Sequence, residues 1–387
     1  MAITEVQKDG VEAHIAGGRL TINLDALVAN YVQLRKRSGN AKCSAVVKAN
    51  AYGLGAERVV KVLWNVGCDT FFVALPEEGF AIKRVLPKAT VYVLNGIHET
   101  SVPGIAEGGL VPVLASLEQI ELWANFWKPR GSRRPCAIQV DTGMNRLGLT
   151  VEEAIAFRER NMREHVVTPI LIMSHLACAD EPQHALNAQQ LESFQRVAAA
   201  FDDIDSSLAN SAAIFNGPEY LFDVTRPGIA LYGGEAINGT PTALNPVIKL
   251  EARIVQIRRV SHGNTVSYGA THKLEHDAKI ATVSVGYADG YPRAGSSAGV
   301  ALRQCIPTGA HGFIAGRKVP LIGRMTMDLC MFDVTDVEDS ALEDGWIELI
   351  GENILLDDAA RAAGTIGYEL LTSLGQRYER RYISSEL

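Results

Sequence analysis

Between residues 40 and 232, short apolar runs alternate with stretches whose apolar residues recur every three or four positions. The runs are CSAVVK (43–48), TFFVAL (70–75), VYVLNG (91–96), VPVLAS (111–116), CAIQVD (136–141), PILIMSH (169–175), SSLANS (206–211) and FDVTRPG (222–228). Between most of them lie segments of helical period, such as GAERVVKVLWNVG, LEQIELWANF, VEEAIAFRER and NAQQLESFQRVAAAF. Eight strands separated by crossovers predict parallel βα units in an α/β fold. A closed (β/α)8 barrel of the TIM type uses all eight, and an open doubly wound sheet is the competitor.

Beyond residue 245 the pattern changes to strand-like alternation with Gly-rich turns, as in VIKLEARIVQIRRV, KIATVSVGYADG, GFIAGRKVPLIG and DLCMFDVTD. Pro241 and Pro246 flank the change, and only LDDAARAAG reads as a short helix. The leading GRLTINLDALVANYVQLRKR reads as a strand, free to join the β domain, followed by a helix. The pattern predicts a barrel over 12–245 and a mainly β domain over 246–387 that takes in an N-terminal strand at 1–11.

Composition narrows the function. The 387 residues carry 37 Lys and Arg against 44 Asp and Glu, a formal charge of -7, which argues against nucleic acid or an anionic membrane as partner. MAITEVQKDG lacks an apolar signal core and no window of about 18 uninterrupted apolar residues follows, so a cytoplasmic location is expected. Cysteines at 43, 68, 136, 178, 305 and 330 have no CxxC or CxxH spacing and read as reduced core residues, without a metal site.

In a parallel barrel the strand C-termini and the loops after them form the active-site face. Lys48 ends the first run, and Arg146 follows the fifth in DTGMNRLG. His175 ends the sixth in MSHLA, and Asn210 and Ser211 end the seventh in LANSAA. Arg226, Gly228 and Ile229 follow the eighth in TRPGIALYG. Each has an ordinary reading: a solvated strand-end lysine, a core histidine, a rim arginine, a salt-bridge arginine. Their placement on one rim by five separate segments is the stronger argument. Tyr52 lies four residues after Lys48, and Gly53 and Gly55 permit a tight turn that aims a hydroxyl and backbone N–H groups at an anion. An amine for an aldehyde, a cradle for a phosphate and a group facing a pyridine nitrogen are what a pyridoxal phosphate site needs.

With these residues assembled, the chain resembles the alanine racemases, a fold-type III pyridoxal phosphate family, over nearly its whole length. The resemblance rests on AVVKANAYGLGA, DTGMNRLGL, SHLACAD, ANSAA, RPGIALYG, VSYGATH, VGYADGYPR, GRMTMDL and GTIGYELLTSLGQR, in that order. It implies that Lys48 carries pyridoxal 5'-phosphate covalently. Tyr52, Ser211, Gly228, Ile229 and Tyr368 would bind its phosphate, with Asn210 and His175 also at the cofactor. Arg226 would hydrogen-bond the pyridine nitrogen, and Arg146 the phenolic oxygen and the substrate carboxylate. Tyr268 would be the second acid/base and would come from the other subunit of a homodimer. Met327, its N–H facing the substrate carboxylate, would come from the same subunit as Tyr268. Tyr287 and Tyr368 would narrow the entrance to suit a small amino acid; core packing is their ordinary reading.

The implied reaction is racemisation of L-alanine and D-alanine with Lys48 on one face of Cα and Tyr268 on the other. It would supply D-alanine for peptidoglycan or serve alanine breakdown. Tyrosine ionises near pH ~10 when unperturbed, so a base role calls for nearby positive charge, expected from a cationic chain running from Arg226 through His175. Gln139 stands two positions before the Asp of DTGM, where many relatives have a carbamylated lysine. An amide cannot carry a carbamate, so Arg146 is expected to be held by Gln139 itself, an anion or water. Thr326 replaces a frequent cysteine before Met327, and Asn145 replaces a more usual glycine in a turn it tolerates. A broader-specificity racemase, acting on serine for example, shares much of this pattern. A non-catalytic pyridoxal phosphate carrier would lack the β domain. A basic amino-acid decarboxylase would have an acid opposite the pyridine nitrogen and a cysteine beyond Cys330.

Overall fold

The structure, a computed structural model, describes residues 14–240, 242–296, 309–343 and 345–385, and the backbone of 5–10. Two compact units emerge: Val28–Leu231 with Glu235–Ala243, and Met1–Leu27 with Tyr232–Gly234 and Leu244–Leu387.

The first unit is the predicted barrel. Seven strands pair in parallel, from Ala45–Val46 through Thr70–Val73, Thr90–Val93, Val111–Leu114, Pro135–Gln139 and Thr168–Met173 to Asp205–Ser207. The eighth, Val224–Thr225, pairs in parallel with Lys42–Cys43. On its other side Asp223 N donates to Ser206 O and Arg226 N to Ala209 O, closing the ring. Thr70–Val73 and Val111–Leu114 are buried at every position, as parallel strands covered on both faces must be. The crossover helices carry their own start signals. Ser116 Oγ accepts from Gln119 N to open Leu117–Trp127, and Thr150 with Glu153 forms a reciprocal cap on Val151–Glu164.

The strands are shorter than the apolar runs. Lys48, Asp141, His175 and Asn210 all lie past the last paired residue of their strands. The ladder stops where side chains turn to the barrel mouth. Four of the five described cysteines, Cys43, Cys68, Cys136 and Cys330, are buried; Cys305 lies outside the described residues. Among the described residues no helix is long and apolar enough to cross a membrane.

The second unit is built on one long strand, Ile248–Val260. Its first half pairs with Gly18–Asn23 and Trp346–Ile350, its second half with Ala278–Val283, and the register shifts between Ile254 and Gln256. Glu379–Ser384 runs parallel to Gly18–Asn23 and antiparallel to Glu5–Gly10. The boundary drawn at residue 12 therefore moves: the chain through Leu27 clusters with the β unit, because Gly18–Asn23 finds both its ladder partners there. A second helix, Gly367–Ser373, follows the predicted one at Leu356–Ala362. It opens on glycine with no side-chain cap, so the sequence carries no start signal for it.

Gly290 joins the loop after Tyr287 to that second helix. Its φ is +87°, and a Cβ there would lie 1.8 Å from the Ser373 carbonyl oxygen. Both the left-handed backbone and the backbone contact forbid a side chain. Gly290→Ala should destabilise the protein by about 2–4 kcal/mol, read as a lower urea midpoint with unchanged m-value.

Candidate active site

Lys48 leaves the end of strand Ala45–Val46 at the barrel mouth. Behind it the chain makes an unusual turn: Ala49, Asn50, Ala51 and Tyr52 all have φ between +52° and +56°. A left-handed turn costs roughly 1–2 kcal/mol per non-glycine residue. Gly53 and Gly55, the glycines that sequence reasoning relied on, are left-handed too, but they end the turn rather than make it. The turn is held from within by Gly53 N to Ala49 O at 2.7 Å and Gly55 N to Asn50 O at 2.9 Å. Asn50 Oδ1 also accepts from Ala56 N, starting the next helix. From outside, the Glu78 carboxylate accepts from Ala49 N. Sequence reasoning missed Glu78, since a glutamate in the first turn of a helix signals only an ordinary cap.

One left-handed turn beyond Lys48, Tyr52 is buried with its hydroxyl against Gly228. A Cβ on Gly228 would meet Tyr52 Oη at 2.3 Å, so only glycine lets the two approach. Ser211 Oγ accepts from Gly228 N at 2.8 Å and from Ala230 N at 3.3 Å, shaping the loop in which Ile229 is buried. Asn210 is nearby but committed: its Oδ1 accepts from Ala213 N.

Arg226 is 5% exposed. Its Nε donates to Ser207 Oγ at 2.8 Å and its Nη2 to the carbonyls of Ser174 and Leu208, while the guanidinium lies 6.0 Å above the Phe72 ring. Burial lowers its pKa to about 10, which leaves it cationic at neutral pH. Nη1 makes no hydrogen bond among the described residues, so the guanidinium keeps one uncommitted donor. Sequence reasoning missed Ser207, its orienting partner; serines in short strands give no signal.

His175 departs from expectation. Its ring makes no hydrogen bond to Arg226 among the described residues; the guanidinium donates instead to the backbone of Ser174, one residue earlier. Desolvation, then Arg226, Arg146 and Lys48, lower the imidazole pKa to about 3. The ring is neutral, and a cationic chain through it is not what the barrel contains. The amine of Lys48 is also pushed below its ordinary pKa, by burial first and then by Arg146, with Glu78 opposing and Arg226 adding. Lys48 remains reachable by solvent, and the downward shift raises the share of neutral amine, the form that attacks an aldehyde.

Arg146 is exposed, and no hydrogen bond joins it to Gln139 among the described residues; the Gln139 amide donates to Val140 O. The direct Gln139 restraint on Arg146 is therefore not made. Asp141 shapes this loop instead, its Oδ1 accepting from the N–H groups of Gly143, Met144 and Asn145. Asn145 adopts φ +57°, as its sequence context allowed.

The remaining candidates belong to the β unit, and all are exposed: Tyr268 by 73%, Met327 by 53%, Tyr368 by 42% and Tyr287 by 41%. Ser267, at φ +64°, donates its hydroxyl to Arg324 O and sets up the turn bearing Tyr268. Thr326 Oγ1 accepts from Leu329 N and donates to Leu329 O, so the threonine closes the turn that displays Met327. Ala288 N donates to Met327 O and Tyr287 N to Thr326 O, tying the two loops together. Arg377 clamps them with a two-pronged bond to Asp289 and a third to Asp328.

The barrel residues suit pyridoxal phosphate. Lys48 offers the amine, the hydroxyls of Ser211 and Tyr52 meet at the Gly228 loop as donors for an anion, and Arg226 Nη1 fits an acceptor nitrogen. Comparison with known proteins agrees with this reading. Residues 22–236 match the family model for the alanine racemase N-terminal domain, and 247–382 that for its C-terminal domain. The chain is 51% identical over 369 residues to "Alanine racemase, biosynthetic" of Agrobacterium fabrum, covering 95% of this chain and 94% of that protein. It is 50% identical over 369 residues to "Alanine racemase" of Rhizobium meliloti, covering 95% and 97%. Among solved structures, alanine racemase from Bartonella henselae with covalently bound pyridoxal phosphate superposes with a TM-score of 0.87 at 38% identity, covering 95% of this chain and 100% of that one.

The neutral imidazole gives a pH prediction. The unfolded chain takes up a proton at His175 near pH 6.5, whereas the folded chain resists until about pH 3. Acid in that window therefore favours unfolding. His175→Gln should lose less stability between pH 7 and pH 5 than the unsubstituted protein, measured by urea unfolding at each pH. An equal loss would show that the ring charges freely.

Proposed function

This chain belongs to the alanine racemase family, and on that premise we propose that it interconverts L-alanine and D-alanine with pyridoxal 5'-phosphate held at Lys48. The observation that carries the reading is the barrel mouth itself. An amine shifted toward its neutral form stands beside two guanidiniums, next to a loop where the hydroxyls of Tyr52 and Ser211 meet at Gly228. Bound there, pyridoxal phosphate supplies an electron sink that acidifies the Cα–H bond of an amino acid.

The chain's own residues do the rest. Tyr52, Ser211, Gly228, Ile229 and Tyr368 hold the phosphate, and Arg226 donates Nη1 to the ring nitrogen. A guanidinium stays charged at neutral pH and hands over no proton there, so the ring nitrogen remains an acceptor. Arg146 orients the substrate carboxylate, helped by the N–H of Met327. Lys48 Nζ moves a proton at one face of Cα and Tyr268 Oη at the other, so removal on one face and delivery on the opposite inverts the centre. Because His175 is neutral, the positive charge that favours phenolate comes from the arginines.

Tyr268, Met327, Tyr287 and Tyr368 are large side chains left open to water on one unit. Their exposure supports a homodimer in which a second protomer covers them and in which each Tyr268 serves its partner's Lys48. Its relatives include proteins named biosynthetic and proteins named catabolic, so both supply of D-alanine for peptidoglycan and breakdown of alanine fit this activity.

Circular dichroism should show L-alanine and D-alanine each relaxing to an equal mixture, with Lys48→Ala inactive and Tyr268→Phe slower by about 10²–10⁴-fold. The shared-site arrangement is tested by mixing Lys48→Ala with Tyr268→Ala chains after dissociation. Half the dimers are then mixed, each with one native site, so about a quarter of full activity returns. No recovery would place both groups in one chain.

A further inference from the structure

We propose that Glu78 is the positioning residue for Lys48: its carboxylate locks the left-handed turn that presents the amine to the barrel mouth. The inference rests on the reading of Lys48 as the working amine, and it concerns what keeps that amine in place.

Val47 N donates to Phe72 O, continuing the parallel ladder between the first two barrel strands. Two residues on, the same ladder would take Ala49 N to Ala74 O. That bond is not made, because at Ala49 the backbone swings to φ +52°. Glu78 supplies the missing acceptor. Its Oε1 accepts from Ala49 N at 2.5 Å, and its Oε2 accepts from Ala74 N at 2.8 Å and Leu75 N at 3.1 Å. One carboxylate thus joins the ends of two neighbouring strands, satisfying three backbone donors where the ladder breaks.

The bond to Leu75 N alone would be an ordinary cap on helix Pro76–Val85. The bond to Ala49 N is not part of any cap. It reaches the residue next to Lys48, at the first of four strained positions, and a charged acceptor makes it one of the stronger hydrogen bonds available. Strain of that kind persists only where surrounding structure over-determines it. Glu78 also places a negative charge near the amine, opposing the burial and arginine effects that lower its pKa.

Two substitutions separate positioning from capping. Glu78→Asp keeps the charge and a good helix start, but its shorter side chain cannot span from the helix to Ala49 N. Glu78→Gln keeps the length and has one acceptor oxygen for three donors. Positioning predicts that in both variants of the full-length holoenzyme kcat for L-alanine falls about ten-fold with KM within about two-fold of the parent value. It also predicts that amide exchange, followed by mass spectrometry, speeds up about ten-fold in peptides covering 49–54 and stays unchanged in those covering 76–85. A Glu78→Asp protein with parental kcat and parental exchange at 49–54 would overturn the proposal and leave Glu78 a cap. If the parent protein itself fails to turn over L-alanine, the proposed function falls, and the exchange comparison still decides whether Glu78 holds the turn.

Discussion

A guanidinium kept almost out of water needs every available acceptor, and the barrel mouth is arranged around meeting that need for Arg226. Ser207, the last residue of its strand, and the carbonyls of Ser174 and Leu208 converge on it from two adjacent strand ends. A buried charge left without such partners would cost several kcal/mol. Once fixed, Arg226 governs its surroundings. It adds to burial in keeping His175 neutral, and it adds, after burial and Arg146, to depressing the Lys48 amine. The same arrangement leaves Nη1 without a hydrogen bond among the described residues.

The second constraint is the backbone behind Lys48. Four consecutive non-glycine residues in left-handed geometry are a local sacrifice that the fold accepts to put Lys48 and Tyr52 one turn apart. Tyr52 then reaches the glycine at position 228, and Ser211 fixes the following loop through two backbone donors. Strain at one strand end and close approach at another thus shape the same corner of the barrel mouth. The β unit follows the same principle with different means. There Arg377 uses three nitrogens on two aspartates to fix the loops of Tyr287 and Met327, leaving the large side chains themselves outward.

Much of this was legible in the chain. Eight apolar runs with helical spacers predicted the barrel, and Lys48, Arg146, His175, Ser211 and Arg226 fell at strand ends because a parallel barrel has one functional rim. The helix Gly367–Ser373 escaped because it opens on glycine without a capping side chain, whereas the equally short Leu356–Ala362 carries two aspartates in its first turn. The first boundary was drawn too early because a strand's sequence does not say which partner it will pair with, and Gly18–Asn23 pairs with chain more than two hundred residues away.

What the sequence determined by itself was the order of elements, the family, and the types of chemical group offered at the rim, since these follow from periodicity and from motifs that are local in the chain. What only the tertiary structure decided was the state of those groups. His175 is neutral rather than part of a cationic chain, Gln139 does not restrain Arg146, and Glu78 bonds across to the turn behind Lys48. Protonation and hydrogen bonding depend on burial and on distances between residues remote in sequence, and no local pattern encodes either.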